Sequence, residues 1–65
     1  MSKMLHGKDL TGAPLFAFVD PASRYTEPQV CRFKFSATLA PYPDESSAHA
    51  ALNDAGATEI SEVGK

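Results

Sequence analysis

A chain of 65 residues with a formal net charge of −2 at pH 7 is long enough for a single domain, residues 1–65, with a thin hydrophobic core. A hydrophobic content of 43% argues against a disordered chain, and the slightly acidic balance argues against a general nucleic-acid binder. The longest apolar run, residues 13–19, is far shorter than the about 20 residues that cross a bilayer. We therefore expect no membrane partner and a cytoplasmic location.

The residue types that bind metals or cross-link small domains are few and scattered. Cys31 is the sole cysteine, which excludes an intrachain disulfide and suits a reducing compartment. Cys31, His6 and His49 lack metal-ligand spacing, and the glycines form no phosphate-binding loop. The sequence therefore predicts no metal and no cofactor, and it favours a partner protein or a second copy as the support of so small a core.

The first third of the chain contains one clear strand. Residues 1–12 have a weak pattern that fits either an N-terminal arm or an extra short strand. Residues 15–20 are rich in aromatic and β-branched side chains and follow Pro14, so they predict a strand. The next four residues, 20–23, have the composition of a turn.

The longest strand signal covers residues 29–40. Alternation over so many positions predicts one buried face and one solvated face. The residues of the predicted buried face are Cys31, Phe33, Phe35, Ala37 and Leu39. Pro41 and Pro43 are expected to end this strand, because proline removes a backbone donor.

A helix is predicted over residues 45–55. Asp44 is a suitable N-cap, Glu45 suits the positive end of the helix dipole, and Gly56 suits the position after the helix. The apolar stripe of this helix consists of Ala48, Ala51, Leu52 and Ala55. Thr58–Val63 then predicts a short, partly charged edge strand.

These elements predict an α+β fold. We expect a small two-layer ββαβ domain with a mainly antiparallel three-stranded sheet, in the order 2-1-3, and one helix packed on one face. In this order the strand at residues 15–20 lies in the middle, between the strand at 29–40 and the last strand.

The open face of this sheet is the first candidate contact surface. Arg32 and Lys34 are expected to face solvent, because burying them would leave charges unpaired. We favour Phe16 and Phe18 in the core, since an alanine-rich helix leaves volume for phenylalanines. The predicted partner-binding residues on the open face are then Leu15, Ala17, Val19, Val30, Arg32 and Lys34.

Two alternatives remain for this face. If Phe16 and Phe18 point outward, they lie beside Arg32 and Lys34 and form a platform on which single-stranded nucleic acid could stack. If the N-terminal residues fold back, the side chains that would cover the face are Met4, Leu5 and Leu10.

No group of side chains predicts catalysis. Cys31 could act as a nucleophile with His49 as its base, but Cys31 lies on the predicted buried face, where a thiol is unreactive. Asp44 and Glu45 are explained by the helix start. Tyr25 and Tyr42 lie in loops, where each could anchor a partner or cover the edge of the core.

We therefore expect a non-catalytic protein-interaction module, a regulator or inhibitor that occupies a surface of a larger complex, with no small-molecule substrate. In size and charge alone it resembles phage- or plasmid-encoded inhibitors of host machinery. The second candidate surface is acidic and consists of Glu45, Asp54, Glu59 and Glu62. The alternative functions are a weak single-stranded nucleic-acid binder and a self-assembling structural subunit.

Overall fold

A computed structural model of the chain describes residues 2–24 and 26–63. Its three strands form an antiparallel sheet in the order β2-β1-β3. The elements are β1 (Lys3–Lys8), β2 (Pro14–Val19), α1 (Lys34–Ala37), α2 (Glu45–Asp54) and β3 (Thr58–Val63). The predicted α+β class, the three-stranded antiparallel sheet, the order 2-1-3 and the packed helix are confirmed. The central strand, however, is β1, the segment for which the sequence predicts either an arm or an extra strand. The expected central position of the strand at residues 15–20 is wrong, since β2 lies at one end of the order.

A tight hairpin places β1 beside β2, with His6 opposite Phe16. The Asp9 carboxylate organises the turn, since it accepts hydrogen bonds from the backbone N–H groups of Thr11 (2.8 Å) and Ala13 (3.0 Å). Gly12 completes the turn with a φ of +88°, a conformation that favours glycine. This local pairing has a low loop-closure cost, which explains why the weakly patterned N-terminus enters the sheet.

The predicted strand over residues 29–40 is wrong. Cys31 pairs antiparallel with Phe16, and Tyr42 pairs parallel with Val19. Along β2 these partners are only about 10 Å apart, whereas the extended chain from Cys31 to Tyr42 would span roughly 36 Å. Residues 32–41 therefore double back and form α1 and the turn after it, instead of an extended strand.

The predicted helix is confirmed as α2. Asp44 is its N-cap, and the Asp44 carboxylate accepts a hydrogen bond of 2.7 Å from the Ser47 backbone N–H. Ala48 and Leu52 are fully buried against the sheet. Gly56 has a φ of +89°, as expected of the glycine that follows a helix.

The core lies between α2 and the face of the sheet that carries Leu5, Leu15, Ala17 and Val19. These four side chains belong to one buried cluster with Tyr42, Ala48, Leu52 and Ala57. The favoured placement of Phe16 and Phe18 in this core is wrong, because alternate residues of β2 face opposite sides of the sheet. Leu5 and Tyr42 supply the bulk that we had assigned to the phenylalanines.

The last strand, β3, is an edge strand with the bounds that the sequence predicts. Its pairing with β1 shifts register between His6 and Lys8, and Glu59 has a φ of +54°. Such an irregularity breaks the row of free backbone groups along a sheet edge. The outer edge of β3 is thus a poor template for a further strand.

Candidate functional site

The predicted contact face is not assembled. Leu15, Ala17 and Val19 are at most 5% exposed, and Val30 packs against the same core, so their expected placement on an open face is wrong. They are buried because β2 turns this side towards α2. Arg32 and Lys34 are exposed as expected, but they lie on the segment that doubles back and not on a strand.

That segment instead displays three large apolar side chains. Phe33, Phe35 and Leu39 are 73%, 75% and 63% exposed, and we call them the outer cluster. The sequence pattern had placed all three on the buried face of a strand, which is wrong. The four-residue spacing of Phe35 and Leu39 is a helical signal that was present beside the alternation.

The segment that carries the outer cluster is packed against β2 and hydrogen-bonded to it at both ends. Ala37 and Ala40 are buried beneath the cluster, and α1 packs against β2. At the two ends of the segment, Cys31 and Tyr42 form backbone hydrogen bonds with β2 of 2.7 to 2.9 Å. With alanines inward and large side chains outward, the segment presents its apolar surface to solvent instead of hiding it.

The charges on this segment differ in their partners. Arg32 donates a hydrogen bond of 2.8 Å from Nη1 to Asp9 Oδ2, which fixes the start of the segment to the β1–β2 turn. Lys34, between the two phenylalanines of the outer cluster, has no carboxylate within 4 Å among residues 2–24 and 26–63. Among the described residues, Lys34 is therefore a positive charge without a carboxylate partner, and it lies beside the apolar surface.

The face of the sheet opposite α2 carries a shallow groove. Phe16, His6 and Ser61 form a row across the three strands, and the His6 and Phe16 rings lie 5.6 Å apart. Lys34 of α1 forms one wall. The groove has a volume of about 320 Å³ and is lined by His6, Phe16, Lys34, Ser61, Glu62 and Val63. We call it the sheet groove.

The nucleic-acid platform is assembled only in part. Phe16 and Phe18 point away from α2, as that alternative requires. Phe16, however, is only 8% exposed, and Asp9 engages the Arg32 guanidinium. The geometry thus offers an oligonucleotide fewer free groups than the sequence suggested.

Two of the four predicted acidic residues meet at one lysine. Lys3 Nζ donates a hydrogen bond of 2.9 Å to Glu45 and lies 4.0 Å from Glu62, and these contacts raise the pKa of Lys3. Asp54 and Glu59 are exposed elsewhere, at the end of α2 and in β3. The acidic surface is thus partly neutralised by Lys3.

The other residues that the sequence suggests for chemistry or partner binding are Cys31, His49, Tyr42 and Tyr25. Cys31 Sγ donates a weak hydrogen bond of 3.7 Å to the Gln29 carbonyl, and His49 is exposed on α2. Tyr42 is 8% exposed, and burial raises its pKa, so it belongs to the core and not to a partner surface. Tyr25 lies outside the described residues.

Comparison with known proteins gives no template for this arrangement. No family model, no curated protein and no solved structure matches the chain. Within residues 2–24 and 26–63, no helix has the length and apolar character needed to cross a bilayer, and no three metal-binding side chains gather. The outer cluster and the sheet groove are the features from which a function can be argued.

Proposed function

We propose that this protein is a non-catalytic protein-interaction module that binds its partner through the outer cluster. The observation that carries this proposal is the exposure of Phe33, Phe35 and Leu39 within seven residues. Aromatic side chains, phenylalanine among them, are enriched in the buried centres of protein interfaces. The regulatory or inhibitory role, by occupation of a surface on a larger complex, belongs to the same proposal.

The base of the cluster favours binding. The segment from Cys31 to Tyr42 is hydrogen-bonded to β2 at both ends, and its alanines Ala37 and Ala40 are buried. The backbone that carries the outer cluster is therefore already ordered before a partner binds. A pre-organised surface loses less conformational entropy on association. A cytoplasmic location completes the proposal, since the unpaired Cys31 suits a reducing compartment.

Charge favours a partner protein over a second copy. A symmetric dimer through the cluster would bring the Lys34 ammonium towards its own copy, and like charges at an interface oppose association. A partner that combines apolar side chains with carboxylates would satisfy both the phenylalanines and Lys34. Its contact surface should therefore be apolar and acidic.

Peptide selection tests this proposal. Random peptides displayed on a surface and selected on the immobilised protein should be enriched in large apolar and acidic residues. The combined replacements Phe33→Ser, Phe35→Ser and Leu39→Ser should weaken the selected peptides by at least about tenfold, the effect of losing one good anchor. The matched control is Leu10→Ser, since Leu10 is 91% exposed on the β1–β2 turn.

Three outcomes would contradict the proposal. The first is equal peptide binding by the triple variant and the wild type. The second is a stable dimer in sedimentation velocity that the triple variant loses, which would assign the cluster to a second copy. The third is cluster-dependent binding to anionic lipid vesicles without peptide binding, which would assign it to a membrane surface.

A further inference from the structure

We infer that the sheet groove is a binding site for a small organic carboxylate with an aromatic body. This inference comes from the row of side chains on the sheet face opposite α2, and it shares only Lys34 with the partner surface proposed around the outer cluster. The sequence predicts no small-molecule substrate for so thin a domain. The doubled-back segment supplies the missing wall.

The polar groups of the groove are suited to an anion. Lys34 brings an ammonium with no carboxylate within 4 Å among the described residues. The His6 ring offers one N–H donor in either neutral tautomer, and the Ser61 hydroxyl offers another. His6 and Ser61 are paired across β1 and β3, so the groove lining includes three donors, which come from α1 and two strands.

The one acidic residue of the lining points elsewhere. Glu62 is opposite Leu5, which is buried on the α2 side of the sheet. Its carboxylate lies 4.0 Å from Lys3 Nζ, and Lys3 in turn binds Glu45 of α2. Lys3 therefore offsets part of the negative charge of Glu62, and no carboxylate among the described residues lies within 4 Å of Lys34.

The apolar groups favour an aromatic body. Phe16 lines the groove beside His6, with the two rings tilted by 36°, and only 8% of its surface is exposed. The next row across the sheet, Phe18, Met4 and Val63, is apolar and half-buried. A flat ring can lie on this surface while its carboxylate reaches Lys34. The volume of about 320 Å³ is at the lower end for ligand sites, which fits one substituted ring.

Phenylacetate is a suitable probe, with phenylacetamide as its neutral counterpart. In a heteronuclear NMR titration of the full chain, phenylacetate should give saturable shifts at His6, Phe16 and Ser61, and phenylacetamide should not. Lys34→Met should weaken phenylacetate binding by about tenfold, because a charge-assisted hydrogen bond is lost. Lys8→Met is the matched control, since Lys8 is an exposed base on the same strand as His6 and lies outside the groove lining.

The same titration contains the results that would overturn the inference. They are the absence of saturable shifts at the row of His6, equal binding of phenylacetamide, or equal effects of Lys34→Met and Lys8→Met. Shifts at these residues with a thymidine oligonucleotide but not with phenylacetate would also overturn it, and would assign the face to single-stranded nucleic acid. Lys34 is exposed, so its replacement leaves the fold intact, which the dispersion of the NMR spectrum verifies.

Discussion

Arg32 and Asp9 lie 23 positions apart in the chain and are joined by a hydrogen bond of 2.8 Å from Nη1 to Oδ2. Asp9 also organises the β1–β2 turn, so this one carboxylate connects the hairpin to the segment that carries the outer cluster. The hydrogen bond from the Thr11 side chain, and after it the one from Arg32, holds the pKa of Asp9 well below its ordinary range. The ionised form therefore belongs to the native state.

This relationship predicts an acid-sensitive stability. A carboxylate whose pKa is lowered by folding stabilises the protein above its ordinary pKa of about 4, and the contribution is lost as the pH falls through the native value. Asp9→Asn should lower the urea midpoint at neutral pH, and its difference from the wild type should shrink towards about pH 2. A constant difference across this range would contradict the prediction. Asp44, whose pKa is also lowered, provides an independent acid-sensitive contribution in both proteins.

The ion pairs of Lys3 predict a loss of stability at high pH. The hydrogen bond to Glu45 and the charges of Glu45 and Glu62 raise the pKa of Lys3. Its stabilising contribution is present below the ordinary lysine pKa of about 10.4 and is lost as the pH rises through the native value. Lys3→Met should therefore lower the melting temperature at neutral pH and reduce its fall above about pH 10. Arg24→Met, an exposed change in a loop, is the control for loss of a positive charge.

Leu52 is the central side chain of the core and is fully buried. Leu52→Ala should cost about 2–5 kcal/mol, because it removes buried methyl groups and leaves a cavity. Since a domain of this size has only a few kcal/mol of stability, the variant should be largely unfolded in urea titrations followed by circular dichroism. Asn53→Ala, an exposed change on the same helix, should stay within about 0.5 kcal/mol of the wild type.

Gly7 allows β3 and its preceding turn to approach β1 closely. A Cβ atom at this position would lie 3.0 Å from Ala57 Cβ, 3.1 Å from the Thr58 carbonyl oxygen and 3.2 Å from Ile60 Cγ1. Gly7→Ala should therefore destabilise the protein by about 1–3 kcal/mol through overpacking. Gly7→Ala in an Ile60→Ala background tests this reason, since alanine lacks the Cγ1 atom, so Gly7→Ala should cost less stability in this background than in the wild type in the same urea titration. An equal cost in both backgrounds, together with a normal hairpin in NMR, would show that Ile60 does not resist the change.

The outer cluster should contribute to binding and not to folding. Because Phe33, Phe35 and Leu39 are exposed, each replacement by serine should change the free energy of unfolding by no more than about 0.5 kcal/mol. The triple variant should also bind less of a hydrophobic fluorescent dye than the wild type. A large loss of stability would mean that these side chains pack in the monomer, and the proposed surface would fail with it.

Much of the fold was determined by local signals in the sequence. Asp44 and Gly56 mark the start and the end of the helix, and the spacing of Ala48 and Leu52 identifies its buried stripe. Pro14 and the apolar run after it define β2. These signals act over a few residues, through capping, backbone restriction and periodicity, so they hold in almost any tertiary setting.

The faces of the sheet and the path of residues 29–42 were decided only by the tertiary structure. Both faces of β2 are apolar, and β1 selects between them by bringing Leu5 and Gly7 to the α2 side. The segment from Cys31 to Tyr42 has a strand pattern, yet its two bridges to β2 force it to turn back. An alternating pattern shows which side chains are apolar. It does not show which face of a sheet packs against the helix or which strand a segment pairs with. The outer cluster and the sheet groove both depend on the path of residues 29–42 and on the face of β2 that packs against α2.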